Sequence, residues 1–485
     1  MHTRLATQLS LAVVDVTKTN QSIPTDEMLI AVRWITSYYV GISRYGISPS
    51  VLEPQLMVTL EPVVKVYLSQ LETQLMTWIR SICKADRKSV LDNPVSRHQS
   101  ISSRHRGTPS TPAATDVLRL VVQTLSLHLR QDKGEFTQRI VDLCCDVVKK
   151  YVSLIKDWIK AEYSQLSLQS LCAIANNFLK ILNSLSREFD SLSDAAPRLS
   201  LTSWESTTDS LLHGNGVCLR YTALRASDLL TVELSELFTF YHEPDGPNFR
   251  DYSGVFNSLL APSKDLLDDR SLGRFVSEFL RYFSASMADA ILSFKKPING
   301  IIVGRLTEDL ESIEGIIELV FNGCISSTNI KSITEPLRTL VTIFSLSNDD
   351  ESFLQHTIDL FDSYFKKMSN IWSTSTEAVA DRIISLNSSL KSTGLRNSIL
   401  RAVKTSLSNP KMKPRTRGIG QPFLSFCGLP GQVDAPQFNG FEEVQVKETI
   451  PKGFSDPISQ RKEPNKAHRR AVTVVDSTNL ESFLC

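Results

Sequence analysis

No uncharged apolar stretch in the 485-residue chain approaches the roughly 20 residues that cross a bilayer. Charge of one sign is missing too: 53 Lys and Arg stand against 52 Asp and Glu, a formal net charge of +1, so no global field draws the chain to nucleic acid. Cysteine is sparse and scattered, at Cys83, Cys144, Cys145, Cys172, Cys218, Cys324, Cys427 and Cys485. The single close pair is adjacent, and adjacent residues ligate one ion poorly, so neither a zinc site nor a disulfide framework is encoded. Scattered cysteines read as small buried apolar residues in a reducing compartment, which favours the cytosol. Thr7, Gln8 and Ser10 interrupt the apolar run from Leu5 to Val14, and no small-residue cleavage site follows, so the N-terminus reads as an amphipathic helix rather than a secretory signal. Cys485 is the last residue, the wrong place for prenylation.

Catalytic constellations are missing as well. The eight histidines, His2, His98, His105, His128, His213, His242, His356 and His468, show no metal-site spacing and read as lone satisfied side chains. Gly214 and Gly216 form a Gly-x-Gly, but Leu219 stands where a third glycine would be and no strand precedes it, which excludes a dinucleotide turn. A Walker loop and a Gly-x-Ser-x-Gly elbow are absent. The pairs Asp268–Asp269 and Asp349–Asp350 sit where helices begin and read as caps. No enzyme, cofactor or metal is expected. Asn20 and Asn387 open chance glycosylation triplets in a cytosolic chain.

What is present is helical periodicity. Ile140, Cys144, Val147, Tyr151, Leu154 and Trp158 alternate steps of four and three, which places them on one stripe of a helix. The pattern recurs at Leu272, Phe275, Phe279, Phe283 and Met287, at Leu306, Leu310, Ile313, Ile317 and Val320, and at Leu354, Ile358, Phe361, Phe365 and Met368. Leu60, Val63, Tyr67, Leu71, Leu75 and Ile82 mark a long helix in which Pro62 stands near the start or makes a kink. Pro24 and Pro336 each suit a first helical turn. Breaks at 48–50, 85–114, 191–205, 243–247, 296–300, 326–328 and 347–350 leave roughly a dozen helices joined mostly by short loops. Strand alternation is nowhere comparable. The expected fold is all-α: an elongated rod of stacked irregular helical bundles with a disordered C-terminal tail. With 41% hydrophobic residues the chain is globular, and its length calls for two to three units of roughly 100–200 residues. The expected division is a first bundle region at 1–243 with a polar loop at about 85–114, a second at 244–407, and a Pro-rich basic tail at 408–485.

The loop carries Arg97, His98, Arg104, His105 and Arg106 among serines; Ser100, Ser102 and Ser103 are its candidate phosphorylation sites. The tail opens on Lys411, Lys413, Arg415 and Arg417, candidates for contact with anionic lipid or a partner, and Arg461, Lys462, Lys466, Arg469 and Arg470 form a second basic group. Neither cluster interleaves aromatics, so nucleic acid is not expected as a partner.

The order of segments adds a resemblance. Gly107–Leu127, with AATDV at Ala113–Val117, resembles an element of the Sec-six subunit of the exocyst that precedes a long helix. Leu168–Phe189, LQSLCAIANNFLKILNSLSREF, is similar to that subunit's Leu-Cys-Ala-x-x-Asn-Asn helix. Asp251–Lys296, ending in Lys295 and Lys296, then Gly304–Ile317 and Asn329–Lys367, resemble its next helices in the same order. The resemblance spans most of residues 25–375 and matches the family's C-terminal helical-rod portion; the family's longer N-terminal coiled-coil portion has no counterpart in the sequence. It implies a non-catalytic exocyst subunit, cytoplasmic and peripheral to the plasma membrane, that helps tether secretory vesicles before SNARE-mediated fusion. Implied partners are the other exocyst subunits and plasma-membrane SNARE proteins. The alternative is an exocyst-independent rod-family relative that acts on membranes through its basic tail.

Overall fold

The computed structural model describes residues 1–19, 23–92, 108–129, 135–195, 200–234, 248–321, 323–346, 353–368, 376–387 and 393–407, with the single positions 237, 241, 246 and 390. Among them are fourteen α-helices: α1 His2–Thr19, α2 Thr25–Arg44, α3 Leu56–Asp92, α4 Pro112–Leu129, α5 Glu135–Glu162, α6 Leu168–Ala195 and α7 Thr202–Glu233, then α8 Ser253–Leu266, α9 Asp269–Leu292, α10 Gly300–Val320, α11 Ser327–Ser345, α12 Phe353–Met368, α13 Thr376–Leu386 and α14 Thr393–Leu407. No strand occurs among the described residues; an isolated bridge joins Ile298 to Asn387. The all-α reading holds.

The periodic stripes are the core. Leu60, Val63, Tyr67, Leu71, Leu75 and Ile82 are all buried on α3, and Leu272, Phe275, Phe279, Phe283 and Met287 on α9. Each fully buried large side chain of this kind contributes about 1.5–3 kcal/mol of transfer free energy. The phenylalanines of α9 are joined by Phe249 and Phe256, with Phe256 edge-on to Phe283 at 5.3 Å between centroids. Packing is passed along the chain: α1 and α2 lie on α3, α3 on α4 and α5, α5 and α6 on α7, α7 on α9, α9 on α11, and α11 on α12.

α7 is the exception that explains itself. It touches α5, α6, α8 and α9, so much of its circumference is covered, and its buried residues include Gly214, Asn215, Gly216, Cys218, Thr222, Ala223, Ala226 and Ser227. Small side chains let four neighbours approach one axis. A Cβ on Gly214 would lie 2.9 Å from Val152 Cγ1 and 3.0 Å from Phe178 Cε1. The Gly-x-Gly is therefore a helix-crossing device. Asn215 reaches across the same crossing to donate to the Ala175 carbonyl at 3.1 Å.

Local signals mostly place the termini as the residues dictate. Asp268 caps α9, accepting from Ser271 N at 2.8 Å; Asp349 and Asp350 lie outside the described residues. Pro24 is the residue just before α2 rather than within its first turn. Two further expectations are corrected. α3 runs through Ala85 to Asp92, because Asp86 and Val90 continue its buried stripe. Pro336 sits inside α11, not in a first turn, because Ser326 caps that helix earlier, accepting from Asn329 N at 3.2 Å. Pro62 likewise lies inside α3.

Candidate interaction surface

Among the described residues no group of His, Cys, Asp and Glu is arranged to hold a metal, and no helix is long and apolar enough to cross a membrane. The thiols of Cys144, Cys145, Cys172 and Cys218 are buried and unpaired, and burial pushes Cys145 up to about 11 and Cys172 up to about 12, well away from thiolate chemistry at neutral pH. His128 is a satisfied core histidine. Its Nδ1 lies 2.6 Å from the Thr124 carbonyl, which can only accept, so Nδ1 carries the proton and Nε2 accepts from the Tyr67 hydroxyl at 2.7 Å. Burial lowers its pKa and keeps it neutral.

The polar residues of the interior instead form joints that set the helices against one another. In the first, Asn177 Oδ1 accepts from Thr111 N at 2.8 Å while its Nδ2 donates to Thr111 Oγ1 at 2.7 Å and to the Tyr151 hydroxyl at 3.3 Å. The Thr111 hydroxyl in turn donates to Asp86 at 2.8 Å. Asn176 Nδ2 donates to the carbonyls of Pro109 and Leu266, each at 2.7 Å. Adjacent asparagines on α6 thus hold α3, α5, the approach to α4 and the end of α8. In the second joint, Asp309 on α10 accepts from the Tyr241 hydroxyl at 2.6 Å and from Phe249 N at 2.9 Å. Arg305 donates to the Tyr241 carbonyl at 2.9 Å and lies 4.8 Å from that ring's centroid. In the third, Arg382 donates to the carbonyls of Leu292, at 2.7 Å, and Phe294, and Asn387 donates to that of Ile343 at 2.8 Å.

On the outside, α2 is apolar on two faces. Met28, Leu29, Val32 and Ile35 face the core, yet Ile30 and Trp34 are 58% and 47% exposed. Val40, Tyr45, Ile47, Val51 and Val58 are exposed as well. A groove of about 620 Å³ opens here between Tyr39, Val40, Met57 and Phe136, with Arg44 and Glu135 as its charged lining. An apolar-lined groove on a helix that also exposes Ile30 and Trp34 suits contact with another protein. The sequence reading missed it, since periodicity says that α2 has an apolar stripe but not that a second one is left uncovered.

Lys411, Lys413, Arg415 and Arg417, and Ser100, Ser102 and Ser103, lie outside the described residues, as do the remainder of the tail and most of the polar loop.

An all-α stack of bundles tied by buried polar joints, with exposed apolar side chains around α2, has the architecture of a helical scaffold. Among solved structures it is similar to the C-terminal domain of the exocyst subunit Sec6p, with a TM-score of 0.56 and 15% identity, over 72% of this chain and 91% of that one. The fold is that of the helical-rod exocyst subunits. Residues 2–240 match the family model of exocyst complex component Sec6. No curated protein sequence matches it. The segments Asp251–Lys296, Gly304–Ile317 and Asn329–Lys367, whose resemblance was read from the sequence, fall beyond the family match.

Proposed function

We propose that this chain is a non-catalytic exocyst subunit that helps tether secretory vesicles to the plasma membrane before SNARE-mediated fusion. Its partners in this reading are the other exocyst subunits and plasma-membrane SNARE proteins, and it works in the cytoplasm at the membrane's edge. The observation that carries the reading is the Sec6 family match over residues 2–240. The fold supports it, because buried polar joints such as Asn177 with Thr111 and Asp309 with Tyr241 hold helix positions, which suits a scaffold. The exposed apolar surface of α2 supports a protein partner in the same way.

The reading divides the chain into bundle regions at 1–243 and 244–407 and a tail at 408–485, with Lys411, Lys413, Arg415 and Arg417 touching anionic lipid or a partner and Ser100, Ser102 and Ser103 open to phosphorylation. An affinity pull-down of the full chain from native cytosol recovers the other exocyst subunits. Recovery of none, with vesicle binding abolished by deleting residues 408–485, would instead establish the exocyst-independent membrane reading.

A further inference from the structure

We propose that the junction of α5, α7 and α9 is a binding site for a compact multivalent phosphate anion, held by Lys156, His213, Arg220 and Arg274. On α7, His213, Gly216 and Arg220 stand at i, i+3 and i+7, which is one face of the helix. A Cβ at Gly216 would overlap the guanidinium of Arg274. The glycine is thus a seat: it lets a guanidinium from α9 lie against the α7 backbone between His213 and Arg220. Lys156 joins them from α5. Partial burial holds the His213 imidazole below the usual histidine range, and the neighbouring cations Lys156 from α5, Arg220 from α7 and Arg274 from α9 lower it further.

None of the three cations forms an ion pair with a carboxylate among the described residues. This is not the habit of the molecule, whose Arg87 pairs with Glu162, Arg139 with Glu61, and Arg338 with Glu314. Arg220 Nε is buried with no hydrogen-bond partner. Glu278, one turn beyond Arg274 on α9, is engaged by Arg281 at 3.8 Å, so the cluster keeps an excess of positive charge, and a bound anion relieves the repulsion within it. The geometry selects phosphate. His213 and Arg220 lie about two turns apart on one face of α7 with Arg274 seated between them at Gly216, so the cations form a short cluster rather than an extended stripe. A phosphate group concentrates up to about two charges and three acceptor oxygens at one centre, and the guanidinium fork matches it. Extended acidic peptides spread their charges at about 3.3 Å per residue and fit a stripe instead.

The test is calorimetric titration of the full chain with inositol hexakisphosphate at pH 6.5 and 8. Arg274→Gln weakens binding by about tenfold or more. Gly216→Ala does the same at unchanged net charge, since the new methyl displaces only the end of a flexible side chain and leaves the helix intact. Arg401→Gln, an equal charge loss on α14, stays within about twofold. Affinity is higher at pH 6.5, where the anion draws a proton onto His213. Flotation with phosphatidylcholine vesicles that contain phosphatidylinositol phosphate separates sources: binding to the soluble probe alone assigns a free phosphate compound, and binding to both assigns a headgroup. The proposal is overturned by absence of binding to either probe, by wild-type affinity in Gly216→Ala and Arg274→Gln, by an equal loss in Arg401→Gln, or by a poly-glutamate peptide that competes as well as the phosphate.

Discussion

Replacing Asn177 with Ala removes the centre of the first joint. Asn177 is fully buried and Thr111 is 4% exposed, so water cannot substitute for what is lost. The Thr111 N–H, which donates to Asn177 Oδ1 at 2.8 Å, is left without an acceptor, at a cost of about 1–3 kcal/mol. The hydroxyls of Thr111 and Tyr151 each lose a donor as well, and the vacated volume adds a small cavity, giving about 3 kcal/mol in all. Hydrogen exchange of the full chain reads this locally. The amide of Thr111 and the first turn of α4 exchange about a hundredfold faster, since each 1.4 kcal/mol of opening free energy is a factor of about ten. Asn177→Asp is the informative comparison. It keeps the acceptor for Thr111 N but cannot donate to the Thr111 hydroxyl, on which Asp86 already sits at 2.8 Å. Two carboxylates then share one hydroxyl, and acidification relieves the defect where it does nothing for Asn177→Ala. An acceleration below about threefold at Thr111, or one spread evenly over all helices, would refute the view that this asparagine pair fixes the position of α4.

Gly214→Ala at the α7 crossing destabilises by about 1–3 kcal/mol despite alanine's better helix propensity, because Val152 Cγ1 and Phe178 Cε1 stand 2.9 and 3.0 Å from the added carbon; chemical denaturation of the variant against wild type checks it. Asp289 on α9 is half-buried with Oδ1 unpartnered, and burial alone pushes its carboxyl from 3.8 up to about 7. Because the folded pKa is the higher one, the folded state holds the proton more tightly: the group costs nothing below about pH 4, erodes stability as pH rises toward 7, and imposes its full penalty above that. Asp289→Asn therefore raises the melting temperature at pH 8 and leaves it nearly unchanged at pH 4. A variant whose melting curve tracks wild type at every pH would show that the carboxylate is solvated.

Much of this architecture was legible in the order of residues. The stripes on α3, α5, α9 and α10 were readable because an apolar residue every three or four positions is a local property of the helix, satisfied whatever covers it. Asp268 behaves as a cap for the same reason, its side chain bonding the amide three residues on. The Leu-Cys-Ala-Ile-Ala-Asn-Asn run on α6 was recognised as a family pattern without any hint of its work, since Asn177 and Thr111 are 66 positions apart. Pro336 was misplaced because proline's preference for first turns was weighed without the earlier cap at Ser326.

By itself, then, the chain determined that it is helical, which side of each helix is oily, and where several helices start, all of which depend on neighbours within a turn or two. Only tertiary structure decided that α7 would meet four other helices, that its two glycines would seat a phenylalanine and a guanidinium rather than a nucleotide, that asparagines would bind distant loops, and that Ile30 and Trp34 would be left in water. Those outcomes depend on contacts between residues tens of positions apart, and no local periodicity encodes which distant surface arrives.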